Sequence, residues 1–333
     1  MRVLVTGGGG YVGSVSVERL LEAGHDVVIL DDLSTGHRES VPETTSLEVG
    51  SYGDPEAIGR LLERARVDAI LHCAARSLVA ESVRDPARYY RDNVVGGIVL
   101  LEAARQAGVG RVVFSSTAAV YGVPDATPIP EDSPLRPINP YGETKRAFEG
   151  ALRFYGEAYG LRSVSLRYFN VAGATDRNGE LHDPETHLIP NVLRAVETGE
   201  PITMFGDDYS TPDGTCIRDY IHVTDLADAH VTALEATAPD DPRTNAALVC
   251  NLGIGSGFSV RQVVDAASAV VGRPIPTTQG PRRPGDPPIL VAAVDRARDV
   301  LGWIAARPSL EGMIGSAWTW RRRNLDASGT RRA

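Results

Sequence analysis

The chain opens MRVLVTGGGGYVGSVSVERLLEAGHDVVILDD, Met1 to Asp32. Val3 to Thr6 reads as a buried strand that enters a cluster of glycines. Val15 to Gly24 then has helical periodicity, with Gly24 where a helix C-cap glycine belongs. Val27 to Leu30 is a second buried strand, and it stops at a pair of aspartates. Strand, glycine turn, helix and strand make a βαβ unit built for a dinucleotide. Gly7 permits the tight turn, Gly10 lets backbone approach a diphosphate, and Gly13 lets the helix pack on the strand. The helix N-terminus offers free N–H groups to an anion. Asp31 stands 18 residues after Gly13. A carboxylate there accepts bonds from both ribose hydroxyls and repels a 2′-phosphate, which selects NAD over NADP.

The pattern continues outward. Asp68 to Ala75, Gly110 to Thr117 and Ser163 to Asn170 are further strands. Pro55 to Ala65, Val94 to Gly108 and Tyr141 to Gly160 are the helices between them. Such alternation predicts an α/β protein with a Rossmann-like, doubly wound parallel sheet, followed by a smaller α/β C-terminal substrate-binding domain. The expected division is 1–174, with a return to the first domain around 218–253, and 175–320 for the second. The arginine-rich end, 321–333, reads as a flexible tail. Ligands of such sheets bind beyond the carboxyl ends of strands, where Ala74 and Ala75, Ser115 to Thr117, and Tyr168 to Asn170 fall.

Bulk properties narrow the function. The formal charge of −9 argues against broad binding to nucleic acid or an anionic membrane. No apolar run approaches the roughly 18 residues of a membrane span, and no signal peptide is evident. Cys73, Cys216 and Cys250 are far apart and show no metal spacing, which fits a reducing, cytoplasmic setting and no metal. His187 has no partners at ligand spacing. An anionic substrate would have to be held by a few local arginines.

NPYGETK places Tyr141 and Lys145 four apart, on one helix face and 24 residues past the strand end Ser115–Thr117. An ammonium beside a phenol favours the phenolate, so Tyr141 is expected to have a lowered pKa and to act as a general base. Lys145 can also hold the nicotinamide ribose.

TGGGGYVG, FSSTAAVYG, NPYGETK, LRYFNVAGA and RDYIHVTDLADAH together resemble the extended short-chain dehydrogenase/reductase family, and within it the UDP-hexose 4-epimerases, to about Trp320. The resemblance implies interconversion of UDP-glucose and UDP-galactose. Bound NAD transiently oxidises C4, Tyr141 takes the hydroxyl proton, and the 4-ketose rotates before the hydride returns. Thr117 would bond the reacting oxygen, and Asn93 would support the cofactor pocket. The implied cofactor set is Gly7, Gly10, Tyr11, Val12, Gly13, Asp31, Asp32, Leu33, Ser34, Thr35, Gly36, Ser51, Tyr52, Cys73, Ala74, Ala75, Arg76, Asn93, Ser115, Tyr141, Lys145, Tyr168 and Phe169. The implied substrate set is Thr117, Tyr141, Asn170, His187, Leu188, Thr203, Met204, Phe205, Arg218, Arg283, Asp286 and Leu290. In that set Thr203 to Phe205 run beside the uracil, Arg218 and Arg283 bind the diphosphate, and Asp286 meets the uridine ribose. Without the motif, Arg218 would equally pair with Asp219 or Asp225.

Departures from the family pattern sharpen the reading. Ala118 and Ala119 stand where sugar-nucleotide dehydratases carry Asp-Glu, which disfavours elimination of water. Ser51 and Tyr52 replace an acidic adenine contact. Arg76 and Ser77 stand where relatives carry a lysine. His187–Leu188 replaces an Asn-Leu pair. Leu290 aligns with the position that gates sugar size and is intermediate there, so N-acetylated sugars stay open as substrates. Two alternatives remain: a 4-epimerase of another UDP-sugar (UDP-GlcNAc/GalNAc, UDP-glucuronate or UDP-pentose), and a non-catalytic dinucleotide-sensing protein. The resemblance also implies a homodimer packed through helices near Asp85–Ala107 and Tyr141–Tyr159.

Overall fold

The computed structural model describes residues 1–244, 247–283 and 286–329. Seven parallel strands form the central sheet: β1 (Arg2–Thr6), β2 (Asp26–Asp31), β3 (Ser46–Val49), β4 (Ala69–His72), β5 (Arg111–Thr117), β6 (Arg162–Tyr168) and, late in the chain, β10 (Ala247–Leu252). Their spatial order is β10-β6-β5-β4-β1-β2-β3. Alternation along each strand builds two cores. Val3, Val5, Val27 and Ile29 face one, with Leu4, Val28 and Leu30 facing the other. Each fully buried aliphatic side chain contributes about 1.5–3 kcal/mol.

The first face is covered by α1 (Tyr11–Glu22) and α8 (Val223–Ala236). The second is covered by α2 (Pro55–Ala65), α5 (Gly96–Gln106) and α6 (Pro140–Tyr159), with the short α3 (Val79–Arg84) and α4 (Pro86–Tyr89) ahead of α5. Local signals set the helix ends. Asp54 accepts from the Glu56 and Ala57 N–H groups at the start of α2. Asn139 accepts from the Gly142 N–H before Pro140 opens α6, and Gly160 ends it at φ 75°.

A second region holds β7 (Asn170–Ala172), β9 (Ile217–His222), β11 (Gly257–Ser259) and β13 (Ile289–Leu290) in one small sheet, and β8 (Ile202–Phe205) paired with β12 (Thr277–Gly280). Their core packs against α7 (Leu188–Thr198), α9 (Val260–Val271) and α10 (Leu310–Gly329) through Val192, Leu193, Val263, Ala267, Met313 and Ile314.

Several expectations shift. β3 is absent from the five strands read in the sequence. The third of those strands ends at His72, because the Cys73 and Ala74 N–H groups both turn to the Thr6 carbonyl, at 3.1 and 3.0 Å. β9 lies outside the large sheet, and the return to it is made by α8 and β10. The expected tail is helical through Gly329, anchored where Arg321 pairs with Glu197 at 2.6 Å. Its last four residues lie outside the described ones.

Candidate active site

A cleft of about 1600 Å³ runs along the carboxyl ends of β1, β2, β4, β5 and β6 and under the second region. The glycine turn forms one wall. Gly7 has φ 74°, and a Cβ there would lie 2.6 Å from Ala74 N. A Cβ on Gly13 would lie 2.0 Å from the Gly7 carbonyl, so the close packing of helix on strand requires glycine. A Cβ on Gly10 would meet nothing nearer than that carbonyl, at 3.4 Å, which leaves its cleft side open. No side chain caps α1, so its first amides are available to an anion. Asp31 is buried, and its two oxygens accept one backbone N–H each, from Gly9 at 2.8 Å and Leu33 at 2.9 Å. Each oxygen keeps a lone pair for a further donor. Burial pushes its pKa up, against those two bonds.

Tyr141, Lys145 and Thr117 converge where β5 meets α6. The Thr117 hydroxyl stands beside the Tyr141 phenol and favours its ionised form. Lys145 Nζ donates to the Ser115 carbonyl at 2.7 Å, lies 4.6 Å from the Phe114 ring centre and 6.0 Å from that of Tyr141. The expected lowering of Tyr141 is not what this geometry gives. Burial raises the phenol, with only Thr117 opposing it, and burial lowers Lys145 to about 8. The reason is that a dry site penalises both charges, while the ammonium is spent on Ser115.

Behind this group lies a buried ion pair. Arg167 Nη2 meets Glu149 Oε2 at 2.6 Å, and Arg167 also donates to the Tyr121 hydroxyl at 2.9 Å and the Glu131 carbonyl at 3.1 Å. Glu149 follows Lys145 by one turn of α6 and accepts from Ser116 on β5. It clamps the catalytic helix to the sheet. His72 and His230 are buried, each lowered to about 3, and are structural.

Most expected residues line the cleft: Gly7, Gly10, Tyr11, Val12, Gly13, Asp31, Asp32, Ser34, Thr35, Gly36, Ser51, Tyr52, Cys73 to Arg76, Thr117, Tyr141, Lys145, Tyr168, Phe169, Asn170, His187, Arg218, Arg283, Asp286 and Leu290. Seven do not. Leu33 holds Asp31 through its N–H at φ 55°. Asn93 stands one layer back, exchanging bonds with the Arg76 backbone at 2.8 and 3.0 Å. Ser115 Oγ lies 2.9 Å from His230 Nε2. Leu188 packs on the second region's core. Thr203, Met204 and Phe205 stay in β8, and Phe205 touches a wall residue, with the Arg283 guanidinium 4.1 Å from its ring centre. Arg218 pairs with Asp286, not with Asp219 or Asp225. Asp219 instead accepts three backbone N–H groups, from Ile254, Gly255 and Ala292, and burial raises it to about 6.

His187 is a further correction. It has neighbours: Glu180 at 2.6 Å and Glu185 at 3.1 Å, with His182 also on Glu180 at 2.8 Å. Burial disfavours both charged forms, but the shared hydrogen bonds win and hold His187 up and Glu180 down. The Glu180, His182, Glu185 and His187 spacing fits no helix or strand period, so only the folded loop brings them together. Asn139 and Arg194 also line the cleft and were not singled out.

The model of the family described as NAD dependent epimerase/dehydratase matches residues 3–249. A UDP-glucose 4-epimerase of Corynebacterium glutamicum is 50% identical over 96% of this chain and 95% of its own. One of Streptomyces lividans is 49% identical over 96% and 95%. The crystal structure of the Brucella ovis UDP-glucose 4-epimerase in complex with NAD has a TM-score of 0.92 at 44% identity, covering 96% of this chain and 97% of that one. The Bifidobacterium longum enzyme in complex with NAD+ and UDP has a TM-score of 0.91 at 34% identity, covering 98% and 99%. A family match over most of the length, with half-identical relatives end to end, means that this chain belongs to the NAD dependent epimerase/dehydratase family and groups with these epimerases.

Proposed function

We propose that this chain interconverts UDP-glucose and UDP-galactose. The observation that carries the reading is the convergence of Tyr141, Lys145 and Thr117 on one cleft shared with the glycine turn and with Arg218 and Arg283. Relatives and neighbours named for this activity support it. NAD fits the residues present. Gly13 is a position where a Cβ would collide, Gly10 leaves room for a diphosphate, and Asp31 retains lone pairs for a ribose. When bound, NAD supplies a reversible hydride acceptor.

The chain's own residues do the rest. Gly7 to Gly13 and the N-terminus of α1 hold the cofactor's diphosphate, and Asp31 holds its ribose. Tyr141 takes the proton of the sugar 4-hydroxyl and returns it, with Thr117 fixing the phenol oxygen. Lys145, carried on the same helix face, balances the phenolate. Arg218 and Arg283 hold the substrate's diphosphate, and Asp286 passes from Arg218 to the uridine ribose. Ala118 and Ala119 put no carboxylate beside the sugar, so elimination has no acid.

Leu290 lines the cleft, and its moderate size leaves UDP-N-acetylhexosamines open as a second substrate class. A neighbouring structure is described as the UDP-Glc/GlcNAc 4-epimerase of Campylobacter jejuni. Incubation with UDP-galactose, UDP-GalNAc, UDP-glucuronate and a UDP-pentose, followed by NMR, tests these readings. Conversion of UDP-galactose is expected; conversion of only an acidic or pentose sugar would replace the proposal.

We also propose a division into 1–174 with 218–253, and 175–320, and a homodimer. Exposed Val95, Phe154 and Tyr159, on the helical faces expected to pair, support the dimer. Light scattering at a dimer mass is the check. No described helix is long and apolar enough to cross a membrane.

A further inference from the structure

Glu180, His182, Glu185 and His187 lie in the loop that precedes α7. Each offers one ligand atom, and these four atoms lie within 4.8 Å of one another. The set is two imidazoles and two carboxylates from one continuous loop. The Glu180 side chain is only 7% exposed and that of Glu185 only 10%. Among the described ion pairs, neither carboxylate is matched by Lys or Arg. Two imidazole nitrogens converge on one oxygen, Glu180 Oε1, at 2.6 and 2.8 Å.

The loop is positioned from outside the cluster. Asn191 Nδ2 donates to the His187 carbonyl at 2.8 Å, and His37 Nε2 lies 3.3 Å from the Leu181 carbonyl. Glu185 Oε1 accepts the Thr186 and His187 N–H groups, both at 2.7 Å, and these bonds leave Oε2 unused. These contacts hold the loop backbone and Glu185 without using Glu180 or the imidazole nitrogens of His182 and His187.

We propose that these four residues form a binding site for a zinc-class divalent transition metal. Two imidazoles select against Mg²⁺ and Ca²⁺, which prefer all-oxygen sites. His187 gives up its proton when a metal binds, and two carboxylates with two neutral imidazoles then cancel the charge of a dication. Tetrahedral bonds of about 2.0–2.2 Å need ligand atoms about 3.3–3.5 Å apart. The contacts of 2.6–3.1 Å would open, and any longer separation within the 4.8 Å span would close, by side-chain shifts of up to about 1 Å. The four residues line the same cleft as Tyr11 at the start of α1, whose phenol is raised by burial and further by Glu180 and Glu185. The ion would neutralise two carboxylates beside the place where a diphosphate binds. It would also tie this loop, which carries His187, to the cleft wall.

The test uses the tag-free full-length chain, freed of metal by a chelator and dialysed. Co²⁺ is titrated by visible absorption and Zn²⁺ by calorimetry. One equivalent per chain, with intense tetrahedral ligand-field bands, is expected. His182→Ala should weaken binding by about 100-fold or more, with an unchanged circular dichroism spectrum and melting temperature in chelator. If that variant does not fold, Glu185→Gln makes the same comparison, and the wild-type stoichiometry and band intensity decide independently. No saturable binding by the wild-type chain, or equal binding by a folded variant, would overturn the site.

Discussion

Lys145 stands 6.0 Å from the centre of the Tyr141 ring and is hydrogen-bonded instead to the Ser115 carbonyl, at 2.7 Å. The site is dry enough to lower the pKa of Lys145 itself to about 8. Burial raises Tyr141 at the same time. A further positive charge in the site, as an oxidised nicotinamide would bring, favours the phenolate.

Tyr141→Phe removes the base but not the cleft. It should lower kcat by about 10²–10⁴-fold while dinucleotide binding persists in a fluorescence titration. Thr117→Val should cost about 10-fold through one hydrogen bond. Full activity in Tyr141→Phe would assign the base elsewhere.

Lys145 links pH to stability. Its folded pKa of about 8 lies below the ordinary 10.5. Between those values the unfolded chain holds more protons, so stability rises with pH through that window. Below about 8 the penalty is fully present, at about 3 kcal/mol by roughly 1.4 kcal/mol per pKa unit. Lys145→Met should flatten this pH dependence and match or exceed the wild type in urea unfolding at pH 7, while activity falls. Equal pH slopes for the two proteins would contradict the burial.

Asp31 has two tasks that a substitution separates. Asp31→Asn removes the charge that repels a 2′-phosphate, and NADP should bind closer to NAD, by about 10-fold or more. The amide nitrogen cannot accept the bond from Gly9 or Leu33, which costs about 1–3 kcal/mol in stability. Paired cofactor titrations and thermal melts measure both.

Glu149 and Arg167 are buried and paired at 2.6 Å. Glu149→Gln leaves the guanidinium without its counter-charge and should destabilise the fold by about 3–5 kcal/mol. The double substitution with Arg167→Met should recover part of that loss. Additive losses would mean that the two residues do not act as a pair.

What was legible in the sequence was local. The glycine turn, Asp31 and the Tyr141–Lys145 face follow from short spacings and element periods. β3 escaped because SLEV is a short edge strand with none of its side chains fully buried. Thr203 to Phe205 were carried over by resemblance, yet β8 pairs with β12 and leaves them off the cleft wall. The Glu180–His187 cluster has no period to read, since a loop assembles it. The lowering of Tyr141 expected from neighbouring positive charge is opposed in the cofactor-free site by burial, which depends on the whole fold.

The central claim is transient oxidation without net redox. The most direct measurement follows UDP-galactose by NMR in one sample with added NAD, while reduced nicotinamide is read by absorbance. UDP-glucose should approach equilibrium with no net NADH. Stoichiometric NADH, or a 6-deoxy-4-keto product, would contradict the claim.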